Sequence, residues 1–265
     1  MEKARIYTLF SSSKGNCTYI KYGEDEILID CGASARAIEC SLRVLGSSLN
    51  SISAIFITHE HTDHIGGIAT ITKNHNIPIY APEASCGCIY ERMPPEKPII
   101  PLVAGKAVEL KSLAVCPIPT PHDARGSVGF RIRAGEEKIG YFTDIGHLSE
   151  NVLRGLSGCE RVVIESNHDI EMLKCGDYPY SLKQRILGER GHLSNELCAR
   201  LLPHLASHGT RSFMLAHLSE ENNTAETAYN ESLASLESSG YDVNREGEKS
   251  LRLCVAAPCG ICELK

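Results

Sequence analysis

Thr58-His59-Glu60-His61-Thr62-Asp63-His64 is the stretch on which the reading of this chain turns. Three histidines and an aspartate crowd into positions 59–64, directly behind the apolar run Ile55-Phe56-Ile57. In an extended segment, residues two apart project to the same side, so His59 and His61 can reach one ion. Past the strand end the chain turns, which lets Asp63 and His64 face a second ion. Neutral imidazoles with a carboxylate suit a divalent metal such as Zn²⁺ or Mn²⁺. The alternative is a solvated turn with chance histidines, and the histidine density behind a buried strand argues against it.

Working outward, the same pattern recurs downstream: a polar residue closing an apolar run. Pro121-His122-Asp123 follows one such run, making His122 the third ligand for the first ion. Phe142-Thr143-Asp144 ends another, and Asp144 can bridge two ions. Leu215-Ala216-His217 ends the last buried strand, so His217 completes the second set. A lone histidine after a strand is ordinary, but their convergence is what a metal site on one sheet edge requires.

The surrounding pattern is a β-rich mixture. Strands are predicted over 6–10, 17–22, 27–30, 52–58, 77–81, 108–113, 115–119, 128–133, 138–143, 161–165 and 213–216. Helices are predicted over 33–45 with Ser34 as N-cap, and over 64–75, 83–92, 178–187, 195–207 and 222–239. Pro203 is expected to kink or split the 195–207 helix. No linker, repeat or low-complexity tract divides the chain, so one mixed α/β domain over 1–265 is expected, with 251–265 an unassigned tail.

The chain has 265 residues, a net charge of −6 and 42% hydrophobic residues. That excludes disorder for its bulk and a globally basic nucleic-acid surface. No apolar run approaches the roughly 18 residues of a spanning helix, and the N-terminus lacks a signal-peptide pattern. The expectation is a cytoplasmic protein without membrane contact. Twelve cysteines are then expected to be reduced. Cys17, Cys31, Cys116, Cys159, Cys198 and Cys254 read as core fillers, leaving Cys259-Gly260-Ile261-Cys262 as a candidate redox pair or half a zinc site.

With these motifs in place, the chain resembles the metallo-β-lactamase superfamily, and within it the YycJ/WalJ group of bacterial metallo-hydrolases, which are related to exonucleases. The narrower likeness rests on Ser11-Ser12-Ser13-Lys14-Gly15-Asn16, Ile29-Asp30-Cys31-Gly32, Pro121-His122-Asp123-Ala124, Glu165-Ser166-Asn167-His168-Asp169 and Gly191-His192-Leu193-Ser194. The resemblance implies an αββα four-layer sandwich with a dinuclear metal site at one edge of its sheets. It implies His59, His61 and His122 on one ion, Asp63, His64 and His217 on the other, and Asp144 between them. Gly191-His192-Leu193-Ser194 is similar to the G-H-x-T/S segment of ribonuclease Z-like relatives, whose histidine contacts the phosphate or protonates the leaving oxygen. His192 is expected to do the same, the competing reading being a helix-capping turn. Glu165 is expected to orient His192 or a ligand, and Asp63 to hold the attacking hydroxide besides binding metal. Ser13, Asn16, Asn167 and His168 are expected to meet substrate.

Two divalent ions would activate a water and stabilise the charge that develops on attack. No phosphate-binding G-x-x-x-x-G-K-S/T is present. Four relatives can be weighed. True β-lactamases are usually exported. Glyoxalase II-like thioesterases set the third histidine in G-H-S/T, whereas His122 follows Pro121. Flavodiiron oxygen reductases replace the second histidine by Glu, and here it is His61. Ribonuclease J carries a β-CASP insertion after the bridging aspartate, and the short stretch from Asp144 to His168 leaves no room for it. What remains is a compact phosphodiesterase, and the likeness points to a DNA 5′-exonuclease. A small phosphodiester or thioester is the alternative substrate, and a cysteine-rich metal or redox module the non-enzymatic one. The acidic balance weighs against a polymer substrate, although Arg125, Lys174, Lys183, Arg185 and Arg190, with Tyr178 and Tyr180 nearby, can offset it locally.

Overall fold

The structure is a computed structural model that describes residues 3–247 and 250–265. Six strands open the first sheet: β1 (Arg5–Ser12), β2 (Gly15–Tyr22), β3 (Asp25–Ile29), β4 (Ala54–Phe56), β5 (Ile79–Pro82) and β6 (Ile99–Leu102). The second sheet holds β7 (Val108–Glu109), β8 (Leu113–Pro119), β9 (Val128–Ala134), β10 (Glu137–Phe142), β11 (Arg161–Glu165), β12 (Ser212–Ala216) and β13 (Arg252–Val255). The chain then returns to the first sheet, where β14 (Cys259–Glu263) pairs antiparallel with β1. Strands β3 to β6 run parallel, as do β10 to β13.

The strand period of two sorts side chains into layers. Ile27 and Ile29 join Phe56, Phe130, Val163 and Met214 in the core between the sheets, while Leu28 turns outward. On that outer face, α1 (Ala35–Val44) and α3 (Ile68–Asn74) press Ile38, Leu42, Ile68 and Ile71 onto the first sheet. On the far side, Val162, Ile164, Phe213 and Leu215 meet α5 (Glu150–Leu156), α8 (Asn195–Ser207) and α9 (Ala225–Ser238). Three stacked cores make the four layers of an αββα sandwich. The remaining helices are α2 (Thr62–Ile65), α4 (Glu83–Arg92), α6 (Ile170–Cys175) and α7 (Tyr180–Leu187). No long insertion follows Asp144; the chain passes through α5 into β11.

The structure departs from the sequence expectations in several places: β6, α5 and α6 fall where no element is predicted, and the strand predicted over 108–113 shortens to β7. The helix predicted over 64–75 is broken into α2 and α3 by Gly66-Gly67. A Cβ on Gly66 would lie 2.6 Å from Gly32 O, and one on Gly67 2.5 Å from Ala33 O. The two glycines let the backbones touch, and the Gly67 N–H donates to Cys31 O at 2.7 Å. The strand predicted over 52–58 shortens to β4, behind a 3₁₀ turn at Leu49–Ser51. Helix α8 runs through Pro203. A residue with an N–H there would have served the Ala199 carbonyl, and the Ser235 hydroxyl of α9 serves it instead at 2.7 Å. Finally, the 251–265 tail is built in: β13 and β14 supply an edge strand to each sheet.

Among the twelve cysteines, all of them free thiols, Cys17, Cys31, Cys159 and Cys198 are buried and burial raises their pKa, as core fillers require. Cys116 and Cys254 are only partly buried. Cys259 and Cys262 lie three apart on a strand, which turns them to opposite faces. Cys262 packs against the inter-sheet core and Cys259 is exposed, so they do not form a dithiol pair.

Candidate metal centre

The ends of β4, β8, β10 and β12 bring the histidines and acids of the sequence motifs together. The ligand atoms of His59, His61 and His122 lie within 4.8 Å of one another, and the same holds for Asp63, His64 and His217. Asp144 stands between the two groups: its carboxylate oxygens lie 3.5 Å from His64 Nε2 and 3.5 Å from His122 Nε2. A further set joins Asp144 and His217 to Glu165 and His192. All seven residues read as ligands are therefore gathered at one place.

The local backbone is bent to achieve this. Asp30, Asp144 and His217, each just past a strand, take φ of 60°, 58° and 58°. Left-handed non-glycine residues cost about 1–3 kcal/mol each and persist where the surroundings dictate them. Gly32 makes a second demand: a Cβ there would lie 1.6 Å from Asp63 O. The Asp63–His64 turn thus rests directly on the Cys31–Gly32 backbone, tied by Cys31 N–H to His64 O at 2.9 Å.

Chemistry of the donor set fits metal ions. His59 Nε2, His122 Nε2, His217 Nε2 and Asp144 Oδ2 are buried and have no hydrogen-bond partner. Buried polar atoms are ordinarily satisfied, so four orphans on one cluster mark places for a cation. The opposite ring nitrogens are all spoken for, which fixes each tautomer. His59 Nδ1 faces Thr58 Oγ1 at 3.0 Å, and His64 Nδ1 faces Asp30 Oδ2 at 2.8 Å. His122 Nδ1 donates to Gly191 O at 3.0 Å, and His217 Nδ1 to Glu165 Oε1 at 2.8 Å. Burial, aided by neighbouring histidines, depresses the pKa of His59, and burial depresses those of His61 and His122. That group is neutral and ready to ligate. Burial opposes the charge on His64 and His217 too, but nearby carboxylates override it. They hold His64 well above its usual range and push His217 up to about 10. Asp63 is likewise partly buried, yet His64 and His217 hold its carboxyl well below the usual range.

Glu165 is the hub behind the ligands. Its Oε1 accepts from His217 and from His192 Nδ1 at 2.9 Å; its Oε2 accepts the backbone N–H groups of Ile145 and Leu193 at 2.8 and 2.9 Å. Burial works to raise its pKa, but His192 and His217 leave it well below the ordinary range. The structure thus joins Glu165 to both His192 and His217, and the 191–194 turn does cap α8, Ser194 Oγ accepting the Leu197 N–H at 3.3 Å, while also carrying His192 to Glu165. A cavity of about 240 Å³ opens over the cluster, walled by Ser13, Asn167, Tyr178, Leu182, Arg185 and Ser219.

Two of the four residues expected at the substrate are placed otherwise. Ser13 and Asn167 line the cavity. Asn16 is buried and gives its amide to Ser12 O (3.0 Å) and Asp63 Oδ2 (3.1 Å), so it steadies Asp63 from behind. His168 is buried behind Asn167, with Nδ1 3.3 Å from Asn167 Oδ1. The basic residues are also largely engaged. Arg185 pairs with Asp123, Arg190 donates to His122 O and Ala124 O, Lys183 to Lys174 O and Gly176 O, and Lys174 pairs with Glu171.

Sequence reasoning foresaw the supporting role of Glu165 but not those of Asp30 and Glu60. Asp30 orients His64 and accepts from Thr58 N–H at 2.8 Å. Its signal was available, since an acid closing an apolar strand is the pattern that singled out Asp144. Glu60, inside the histidine motif, accepts from Ser85 Oγ at 2.7 Å and Arg125 N–H at 2.9 Å, fixing the loop that carries His122. Nothing local marks that contact.

A sandwich of this topology, with its His/Asp cluster at the strand ends, is a metallo-hydrolase fold. The chain belongs to the Beta-lactamase superfamily domain family, whose model matches residues 25–218. It is 32% identical over 243 residues to the exodeoxyribonuclease YycJ of Bacillus anthracis, covering 91% of this chain and 92% of that one. It is 31% identical over 227 residues to the exodeoxyribonuclease WalJ of Streptococcus pneumoniae (strain D39), covering 83% and 84%. Among solved structures, the metallo-β-lactamase fold protein YhfI from Bacillus subtilis matches with a TM-score of 0.70 at 14% identity, over 98% of this chain and 99% of that one, a likeness of fold. No helix among the described residues is long and apolar enough to cross a membrane.

Proposed function

We propose that this chain is a single-domain, cytoplasmic DNA 5′-exonuclease working with two divalent ions, Zn²⁺ or Mn²⁺. Similarity over nine-tenths of the chain to a protein named as an exodeoxyribonuclease supports the DNA substrate. The observation that carries the chemistry is the Glu165–His192 pair. Glu165 holds the Nδ1–H of His192, so that the doubly protonated ring can give its Nε2 proton to the leaving oxygen, and His192 lines the cavity beside Asp144. A sugar alkoxide is a poor leaving group and needs that proton.

His59, His61 and His122 would hold one ion and Asp63, His64 and His217 the other, with Asp144 placed to serve either. When bound, the ions supply the charge that activates water and stabilises the transition state. Asp63, steadied by Asn16, orients the attacking water. Ser13 and Asn167 face the phosphate from the cavity wall, with His168 bracing Asn167.

One observation favours a second reading, a small phosphodiester. Arg185, Arg190, Lys183 and Lys174 are spent on internal partners, leaving fewer cations for a polymer backbone. The deciding assay offers the purified chain, with Mn²⁺ or Zn²⁺, 5′-labelled DNA, labelled RNA and bis-p-nitrophenyl phosphate. Nucleotide release from the DNA 5′ end is expected, abolished in His61→Ala and Asp63→Ala proteins that still fold. Cleavage of the small diester alone would replace the exonuclease by the second reading. Undiminished turnover in the His61→Ala/Asp63→Ala double variant would overturn the site.

A further inference from the structure

Beside the metal centre lies a second cavity that the reaction as derived does not use. It has a volume of about 520 Å³ and runs between the β12–α9 connection and the turn joining β13 to β14. We propose that this cavity receives a nucleobase of the substrate strand, next to the phosphodiester held at the metal cluster. The inference rests on the exonuclease reading and assigns it a base subsite.

Continuity is the first argument. Ser219 is a wall of both cavities. Ser11 ties them together from below: its hydroxyl accepts the His217 N–H at 2.8 Å, and its own N–H donates to Pro258 O, on the rim of the second cavity, at 3.2 Å. A ligand with its phosphate at His217 therefore has this cavity as its neighbour.

Chemistry of the walls is the second argument. Leu218 and Ala256 are buried in the floor, and Val255, Ala257 and Ala225 add apolar surface. The polar groups present are already satisfied. Asn223 donates its amide to Ser166 O and Asn167 O and accepts from Thr224 N–H, and Thr224 Oγ1 is bonded to Thr227 Oγ1. Glu220, the one charged residue of the wall, is paired with Lys14. Such a pocket has no free cation for a phosphate and no free amide or acid to read a base edge. It fits a neutral, flat, largely apolar group, and its size lies within the range of about 300–1,000 Å³ typical of small-ligand sites. A base held by apolar contact and not by its edge is bound without regard to sequence.

Filling the cavity tests this. Ala225→Trp adds bulk from the exposed first residue of α9, and Ala257→Phe from the opposite wall, each leaving the metal ligands untouched. Both variants should keep wild-type metal content and turn over bis-p-nitrophenyl phosphate within about twofold of wild type, while KM for a DNA oligonucleotide rises about tenfold. Unchanged KM for DNA in both folded variants, or an equal loss on the two substrates, would overturn the subsite. Wild-type protein that cleaves the small diester but no DNA would overturn the exonuclease reading, and the subsite with it.

Discussion

Replacing Glu165 with glutamine is nearly isosteric, yet it strikes the point where the centre is most tightly determined. The carboxylate meets four donors on two oxygens: two imidazole Nδ1–H groups on Oε1 and two backbone N–H groups on Oε2. A glutamine must turn its NH₂ toward one pair, setting donors against donors. Facing Ile145 and Leu193, it leaves two buried N–H groups unpaired at about 1–3 kcal/mol each. Facing the imidazoles, it drives the His217 proton from Nδ1 to Nε2, the buried atom that has no other partner. His217 then ceases to be a ligand. Loss of such an orienting partner typically costs about 10–100-fold in metal affinity, which is about 1.4–2.7 kcal/mol. The expectation for Glu165→Gln is thus one ion bound as in wild type, through His59, His61 and His122, and one weakened by that factor. Titrating metal-free protein with Zn²⁺ against a chromophoric chelator resolves the two. At saturating metal, DNA turnover should fall further than turnover of bis-p-nitrophenyl phosphate, because p-nitrophenolate leaves without the proton His192 provides. Two ions at wild-type affinity with wild-type DNA turnover would refute the role given to Glu165.

In the metal-free protein His64 is held well above its usual pKa and His217 is pushed up to about 10, so both carry protons at neutral pH that an ion must displace. Affinity for the second ion should therefore fall about tenfold per pH unit for each displaced proton as the solution is acidified; calorimetry in buffers of differing ionisation enthalpy counts those protons. At the opposite end of the sandwich, Arg161 makes a buried bidentate pair with Glu137 and donates to Ala4 O and Leu264 O. Arg161→Ala should cost about 3–5 kcal/mol, because the buried Glu137 keeps only the Ala4 N–H and loses its cation; urea denaturation measures it. Gly32→Ala places a methyl 1.6 Å from Asp63 O, and the required backbone shift should cost at least about 1–3 kcal/mol and weaken the second ion, read from thermal unfolding and metal content.

The candidate ligands were legible because metal ligation draws on few residue types and the sheet presents them at one kind of position. His59, His122, Asp144 and His217 each close an apolar run, and a period-two pattern can be read over a handful of residues. What surrounds them depends on contacts between distant segments. Gly66 and Gly67 look like an ordinary flaw in a helix until the Gly32–Ala33 backbone is seen against them, 34 residues away. Arg252–Val255 is a short edge strand without alternation, and only its pairing with β12 declares it. Pro203 misleads for the same reason, since the hydroxyl that compensates it comes from Ser235 on another helix.

Charge shows the limit most clearly. Composition gives a net −6 and a set of lysines and arginines around the cavity, from which a basic surface for a phosphate backbone can be imagined. Partners decide otherwise. Arg190 serves the carbonyls of His122 and Ala124, and Arg185 neutralises Asp123, so both hold the loop that carries a metal ligand. The acids near the cavity are equally committed: Asp30 and Glu165 to imidazoles, Asp63 and Asp144 to the cluster. In this arrangement the protein's fixed charges build and orient the metal site. On the proposed function, the attraction for a phosphodiester would then fall to the ions such a site would hold, and contacts beyond the scissile phosphate to uncharged surface such as the cavity behind Ser219.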